Sequence, residues 1–479
     1  MASPSNQRIN RLTVFTFLWA SQALVHQDFY NAWIENNNVW GWILTIFAVA
    51  SISFPRSQAF FSLMLLSSLI YNVGKWPFVV NHILVESVLN ATILTALLIS
   101  FLDSNAAWRD RSIGRSVDRF VPVLKASLIV MYYFAILAKL NYGFFDAEQS
   151  CVVVMFDDLI RRLPFVSKSY FTQQCAIWGT IAIEFAIPIL LTFKRTQWIA
   201  ILIGLAFHFM LGLIGHRTFS ALAYSVYGLF LLPALTNWVN EFHDRLTQRF
   251  GSKRLATARA VFSVCVAATA TLLVVAELTG NDRAGFGPFI IYRIPWVIWI
   301  SWSALIAFAY LNAISKQSHD PAETQAASGA KPRFLWLFLP LVFLNGSSQY
   351  LGLKTETCFT MYSNLRTEGG INNHLFMPAL RVAKYQDDLV EILDTNHEKL
   401  KAEYIDKDLF ITAFEFQRFI SSTDENFYVA FNYQGQRDQI NKRIGIKNDH
   451  PFAVPQNIAI RKLLYFRPVP KDDRSPCQH

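Results

Sequence analysis

The sequence predicts an α-helical polytopic membrane protein of about eleven transmembrane helices, followed by a C-terminal extracytoplasmic α+β domain. Three observations lead there. Of the 479 residues, 53% are hydrophobic and only 16% are charged, too little polarity to cover a water-soluble fold of this length. The apolar residues gather into runs long enough to approach the thickness of a hydrocarbon core, about 30 Å. After Tyr350 the composition turns polar and mixed in charge, over a stretch of about 130 residues that suits one globular domain.

The apolar runs fall at 12–26, 39–54, 58–73, 82–102, 120–141, 174–193, 197–215, 218–235, 257–278, 289–312 and 334–350. Orientation follows from the basic residues between them, because cytoplasmic segments carry the excess of Lys and Arg. With the N-terminus cytoplasmic, about sixteen basic residues, from Arg8 and Arg11 to Lys331 and Arg333, lie inside, against about seven outside. An odd number of spans then places residues 351–479 outside the cell (inner) membrane. No small-residue cleavage site follows the first run, so that run reads as a retained span and not a signal peptide.

The segment Cys151 to Phe171 is interrupted by Asp157, Asp158, Arg161, Arg162 and Lys168, so it reads as an amphipathic helix along the outer interface. In the C-terminal region a helix is expected around Asp387 to Tyr404, with strands at Phe410 to Phe419, Phe427 to Tyr433 and Lys462 to Phe466. The tail from Pro470 is expected to be loose, and Gln317 to Ala330 reads as a flexible inner loop. The net charge of +9 is spread among the inter-helix segments and forms no patch, so no nucleic-acid partner is expected. The five cysteines show no metal-ligand spacing, and no metal is expected. A Cys151–Cys175 or a Cys358–Cys477 disulfide suits an oxidising side.

Ionisable residues inside apolar spans are costly and therefore point to function. His82 and Glu86 lie in the fourth run, Lys139 in the fifth, Glu184 in the sixth and His208 in the seventh. Counting residues from the inner helix ends puts His82 and Lys139 at one level near the outer face, and Glu184 with His208 near mid-membrane, where they are free to pair. Glu86 and Asn90 follow His82 at spacings of four, so the three share one helical face. Position alone also fits a lysine that snorkels to the interface, and a Glu–His tie that is purely structural.

Three stretches together resemble the transmembrane domain of vitamin K-dependent gamma-carboxylase and its bacterial relatives, the horizontally transferred transmembrane (HTTM) family. They are Val80-Asn81-His82, the run Tyr133 to Asn141 that ends in Ala138-Lys139-Leu140-Asn141, and Phe207-His208 with the following His216 to Tyr224. The resemblance covers roughly 10–235, and Phe359 to Gly370 with Asn373-His374 is similar to the start of the outer domain in bacterial members. It divides the chain into an HTTM-like domain at 1–235, further transmembrane helices at 236–350 and the extracytoplasmic domain at 351–479.

The resemblance implies a gamma-carboxylase-like lyase or oxidoreductase in which Lys139 is the base that deprotonates a reduced quinone, the implied cofactor, with His82 assisting. Glu86 completes the expected catalytic group, and Asn141, Glu184 and His208 are expected to support it. The chain departs from the animal enzymes at Ala138, where they have a second lysine, and at Asn141, where they have an acid. A lysine amine must be deprotonated to act as a base, which an apolar surrounding promotes. The expected partners are the lipid bilayer and an amphiphilic small-molecule or peptide substrate. The rival functions are a proton-coupled transporter, suggested by the intramembrane Glu and His residues, and a membrane anchor for a partner-binding outer domain, in which Arg366, Glu368, Asn373 and His374 form the most polar cluster.

Overall fold

The structure is a computed structural model that describes residues 8–29, 39–102, 109–162, 166–278, 287–316, 333–446 and 449–477. The expected inner loop Gln317 to Ala330 lies outside them. Helices occur at every apolar run: α1 (Arg11–Phe29), α2 (Val39–Ser53), α3 (Gln58–Lys75), α4 (Asn81–Leu102) and α5 (Arg109–Lys139) come first. After the short α6 (Tyr142–Phe145) come α7 (Cys151–Arg162), α8 (Tyr170–Thr192), α9 (Gln197–Leu213), α10 (Arg217–Phe230), α11 (Leu232–Phe250), α12 (Ser252–Leu278), α13 (Gly287–Ser315) and α14 (Phe338–Ser347).

Five of these helices contain a segment long and apolar enough to cross a membrane: 81–102, 116–139, 170–192, 252–272 and 294–315. A sixth span results if α10 and α11 count as one. They do not form the straight 218–235 helix expected from hydropathy, because they meet at an angle of 88°. Pro233 in the first turn of α11 fits the break, since its ring has no N–H to continue the hydrogen-bond ladder of α10.

The chain divides into two compact units. One comprises Met1–Gly74, Val85–Ile129 and Ala186–Pro340; the other comprises Lys75–Leu84, Val130–Phe185 and Leu341–His479. In the first unit α1 packs against α2, α10 and α11. Phe15 sits at its centre, fully buried, with its ring 5.1 Å from Phe120 and edge-on to Phe61 at 6.1 Å.

The second unit holds an antiparallel sheet in the order β4-β3-β1-β2-β5. Its strands are β1 (Leu389–Thr395), β2 (Leu409–Thr412), β3 (Phe427–Tyr433), β4 (Gln436–Lys442) and β5 (Val469–Pro470). Alternation works as expected in β3, where Phe427, Val429 and Phe431 point into the core. The β3–β4 connection is Gln434-Gly435, both at positive φ, the two-residue turn whose twist matches an antiparallel hairpin.

Three expectations for this region are corrected. Asp387 to Tyr404 is not a helix: it forms β1, then the short α15 (Glu398–Leu400) and a single π-turn, Lys401–Ile405. Phe410 to Phe419 is strand only as far as Thr412 and then becomes α16 (Ala413–Ser422). Thr412 caps that helix by accepting the Glu415 N–H, within a Thr-x-x-Glu signature that outweighs the β-like aromatic run. Lys462 to Phe466 begins inside the helix α17 (Ile458–Leu463), which Asn457 caps. Phe416 and Ile420 of α16 complete the core with Val390, Ile392, Ile411, Val429, Phe431 and Ile440.

The tail beyond Pro470 is tied down and not loose. Cys477 is bonded to Cys151, which replaces both expected disulfides and leaves Cys175, Cys265 and Cys358 free. Arg366 Nη1 donates to the carbonyls of Asp472 and Arg474, and Ser475 N–H donates to Gln149 Oε1 at 2.9 Å. Sequence spacing cannot reveal a cross-link between residues 326 positions apart.

Candidate functional site

In the second unit, Lys139 is the last residue of α5 and is almost fully buried. Its Nζ lies 2.9 Å from Glu184 Oε2 and 3.4 Å from the carbonyl of Ala135 one turn earlier. Glu184 belongs to α8, and its carboxylate has no other polar partner among the described residues. This pairing corrects the expected depths, because Lys139 is not at a different level from Glu184. A Glu184–His208 pair was only geometrically allowed, and the carboxylate has Lys139 as its partner. Residue counting presumed inner helix ends of equal depth, whereas α5 extends back to Arg109, well beyond the expected start.

The ends of α4 and α5 are gripped by one segment, Thr357–Asn364. Its backbone enters the left-handed region at four non-glycine residues, Thr357, Phe359, Tyr362 and Asn364. Each costs about 1–2 kcal/mol and persists only where neighbours impose it. The neighbours are asparagines. Asn81, beside His82, accepts the Phe359 N–H at 2.6 Å, Asn345 donates to the Thr357 carbonyl at 2.8 Å, and Asn141 donates to the Ser363 carbonyl at 2.6 Å.

Asn141 is committed to this framework. Its amide donates to Ala138 and Ser363 carbonyls, and its oxygen accepts the Phe144 N–H and the Asn373 side chain. All four hydrogen-bonding positions of the carboxamide are in use. Asn141 therefore positions the Lys139 helix end and has no atom to offer a ligand. His374 completes the brace: Nδ1 accepts the Met377 N–H at 2.9 Å, so Nε2 carries the proton and donates to the Leu137 carbonyl at 2.8 Å. Burial also holds its pKa below the ordinary value.

His82 is buried at the start of α4. Lys139 takes its polar contacts from Glu184 and Ala135, and His82 is not among them. Of the polar cluster Arg366, Glu368, Asn373 and His374, all but the half-buried Asn373 are buried. Glu368 is 1% exposed and receives Arg467 Nε at 2.7 Å and Nη2 at 3.1 Å, while Arg366 anchors the tail. Nearby, burial pushes the Glu356 carboxyl up to about 7, with Arg467 opposing and Glu368 reinforcing the rise. Burial also pushes Lys354 down to about 8 and the Cys358 thiol up to about 12.

Glu86 and His208 belong to the first unit. Glu86 Oε2 contacts His26 Nδ1 at 3.1 Å and accepts from Gln22 at 3.3 Å, and Oε1 accepts from Ser68 at 3.5 Å. Ser68 in turn accepts from Asn90 at 3.0 Å, whose oxygen accepts from Trp19 Nε1 at 2.8 Å. Trp19, Gln22 and His26 form one polar stripe on α1, at spacings of three and four, a signal in the sequence that the apolar composition of the run masks. His208 is fully buried beside Ser220 Oγ, 3.5 Å from Nδ1, and within 6.0 Å of the Phe219 and Tyr227 rings. Among the described residues there is no group of three or more His, Cys, Asp or Glu side chains that could hold a metal.

The chain matches no family model, no curated protein and no solved structure.

Proposed function

We propose that this chain is an HTTM-type enzyme of about eleven spans in the cell (inner) membrane, with its N-terminus cytoplasmic and residues 351–479 outside. In this reading the neutral Lys139 amine abstracts a proton from a hydroxyl of a reduced quinone or a similar amphiphile that enters from the bilayer, leaving the quinol oxyanion, and the Glu184 carboxylate holds the amine in place and balances the ammonium that forms. The observation that carries it is the buried Lys139–Glu184 contact at 2.9 Å. As a neutral amine Lys139 has two N–H groups and one lone pair; the Glu184 carboxylate and the Ala135 carbonyl face the N–H groups, which leaves the lone pair to accept the substrate's proton. The brace formed by Asn81, Asn141 and His374 fixes the helix ends, with His82 the residue after Asn81 at the start of α4. Turnover of a reduced quinone by purified Lys139→Ala protein is the test: a loss of about a hundredfold or more is expected, and unchanged turnover rejects Lys139 as the base.

A proton-coupled transporter is the second reading, supported by the buried chain from Trp19 through Asn90, Ser68 and Glu86 to His26. Charged and polar groups in that order suit a proton relay. Proton flux into liposomes that vanishes in a Glu86→Gln variant would favour it, and flux that is absent from the unaltered protein would reject it.

A further inference from the structure

The second unit contains a cleft of about 650 Å³ that the lysine chemistry does not use. One wall is α7 with Ser150, the residue just before it: Ser150, Val153, Val154 and Asp157 follow at spacings of three, one and three, which suits a single helical face. The opposite wall is the first turn of α8 with Tyr170, Gln173 and Gln174, and the floor runs from Phe145 to Glu148. Two buried polar atoms on the α7 wall lack hydrogen-bond partners: Ser150 Oγ, on a residue 1% exposed, and Asp157 Oδ1. Such atoms are costly unless something pairs with them.

The charges around the cleft select the partner. Asp146 is occupied internally, accepting the Glu148 N–H at 3.0 Å and Gln149 Nε2 at 2.6 Å. Asp157 Oδ2 holds Lys168 at 2.6 Å, which leaves Oδ1 and the exposed Glu148 as uncommitted acceptors. Three carboxylates against one ammonium make the cleft electronegative, so an anionic head group is disfavoured. Phe145, Val153 and Val154 supply apolar surface beside those acceptors.

We infer that this cleft between α7 and α8 binds an ammonium-bearing amphiphile, whose head group meets Asp157 Oδ1, Ser150 and Glu148 and whose chain lies along the valines. The ammonium could belong to an aminophospholipid or to a free alkylamine. Full-length protein in non-ionic detergent is titrated with dodecylammonium by calorimetry, and nanodiscs of equal phosphatidylethanolamine and phosphatidylglycerol are analysed by native mass spectrometry. Dodecylammonium binding is expected to weaken about tenfold or more in Asp157→Asn and Ser150→Leu, and measurably in the exposed variant Glu148→Gln.

An unalkylated Cys151–Cys477 pair in each variant shows that α7 is still anchored. Preferential retention of phosphatidylethanolamine assigns the site to a membrane lipid, and dodecylammonium binding without lipid preference assigns it to a soluble amine. No dodecylammonium binding, or binding that all three variants leave unchanged, overturns the proposal. None of these readouts involves Lys139, so failure here and failure of the proton-abstraction reading are distinguishable.

Discussion

The second unit contains two kinds of buried ion pair. Arg418, in the sheet domain, donates Nη1 to both oxygens of Glu415 at 2.7 Å and Nη2 to the carbonyls of Arg461 and Leu464, with the Phe414 ring 5.0 Å away. Glu415 also accepts the Phe466 N–H at 3.0 Å. Lys139, at the end of α5, has one carboxylate and one carbonyl. A planar guanidinium locked by several acceptors is a structural tie, whereas a sparsely contacted ammonium keeps donor capacity for something else. The difference separates a charge committed on every side from one that is sparsely partnered.

The sharpest way to break that contrast is to remove one partner of each pair. Arg418→Ala leaves the Glu415 carboxylate buried among unsatisfied carbonyls and should cost about 3–5 kcal/mol, read as a large drop in thermal midpoint of the purified chain. Asn141→Ala strips four hydrogen bonds from the Lys139 helix end and should cost about 1–3 kcal/mol by the same measurement. If Asn141 were a substrate group, activity would fall while stability stayed intact.

A pH series sharpens the contrast further. Burial raises the Glu356 carboxyl from 4.5 to about 7, so the folded chain binds a proton that the unfolded chain has released. The sign follows: this stability is present at acid pH and is lost as pH rises from about 4.5 to about 7, by on the order of 3 kcal/mol. Glu356→Gln should flatten the profile in that window, and an unaltered slope would contradict the assignment. The smallest effect is expected for the double variant Lys139→Met with Glu184→Gln. Removing both charges together should change stability by about 1 kcal/mol or less, while either single change costs more.

The sequence made the helices legible because apolar runs and basic connections are local signals. Lys139 and Glu184 were both marked by the cost of charge in an apolar run. Their pairing was not legible, because contact between α5 and α8 depends on where each helix ends, and α5 begins at Arg109, before the apolar run 120–141. The brace was hidden for another reason. Asn81, Asn141 and Asn345 are ordinary residues until the backbone of Thr357–Asn364 adopts left-handed geometry that needs their side chains. The α16 helix, by contrast, was misread although its capping signature, Thr412 to Glu415, was present in the sequence.

The most direct measurement is an electron cryo-microscopy structure of the full-length protein in nanodiscs with a reduced-quinone analogue. The expected result is a quinol hydroxyl within hydrogen-bonding reach of Lys139 Nζ, with Glu184 still in contact on the other side of the amine. A quinone bound elsewhere, with the Lys139–Glu184 pair separated or turned toward acyl chains, would contradict it.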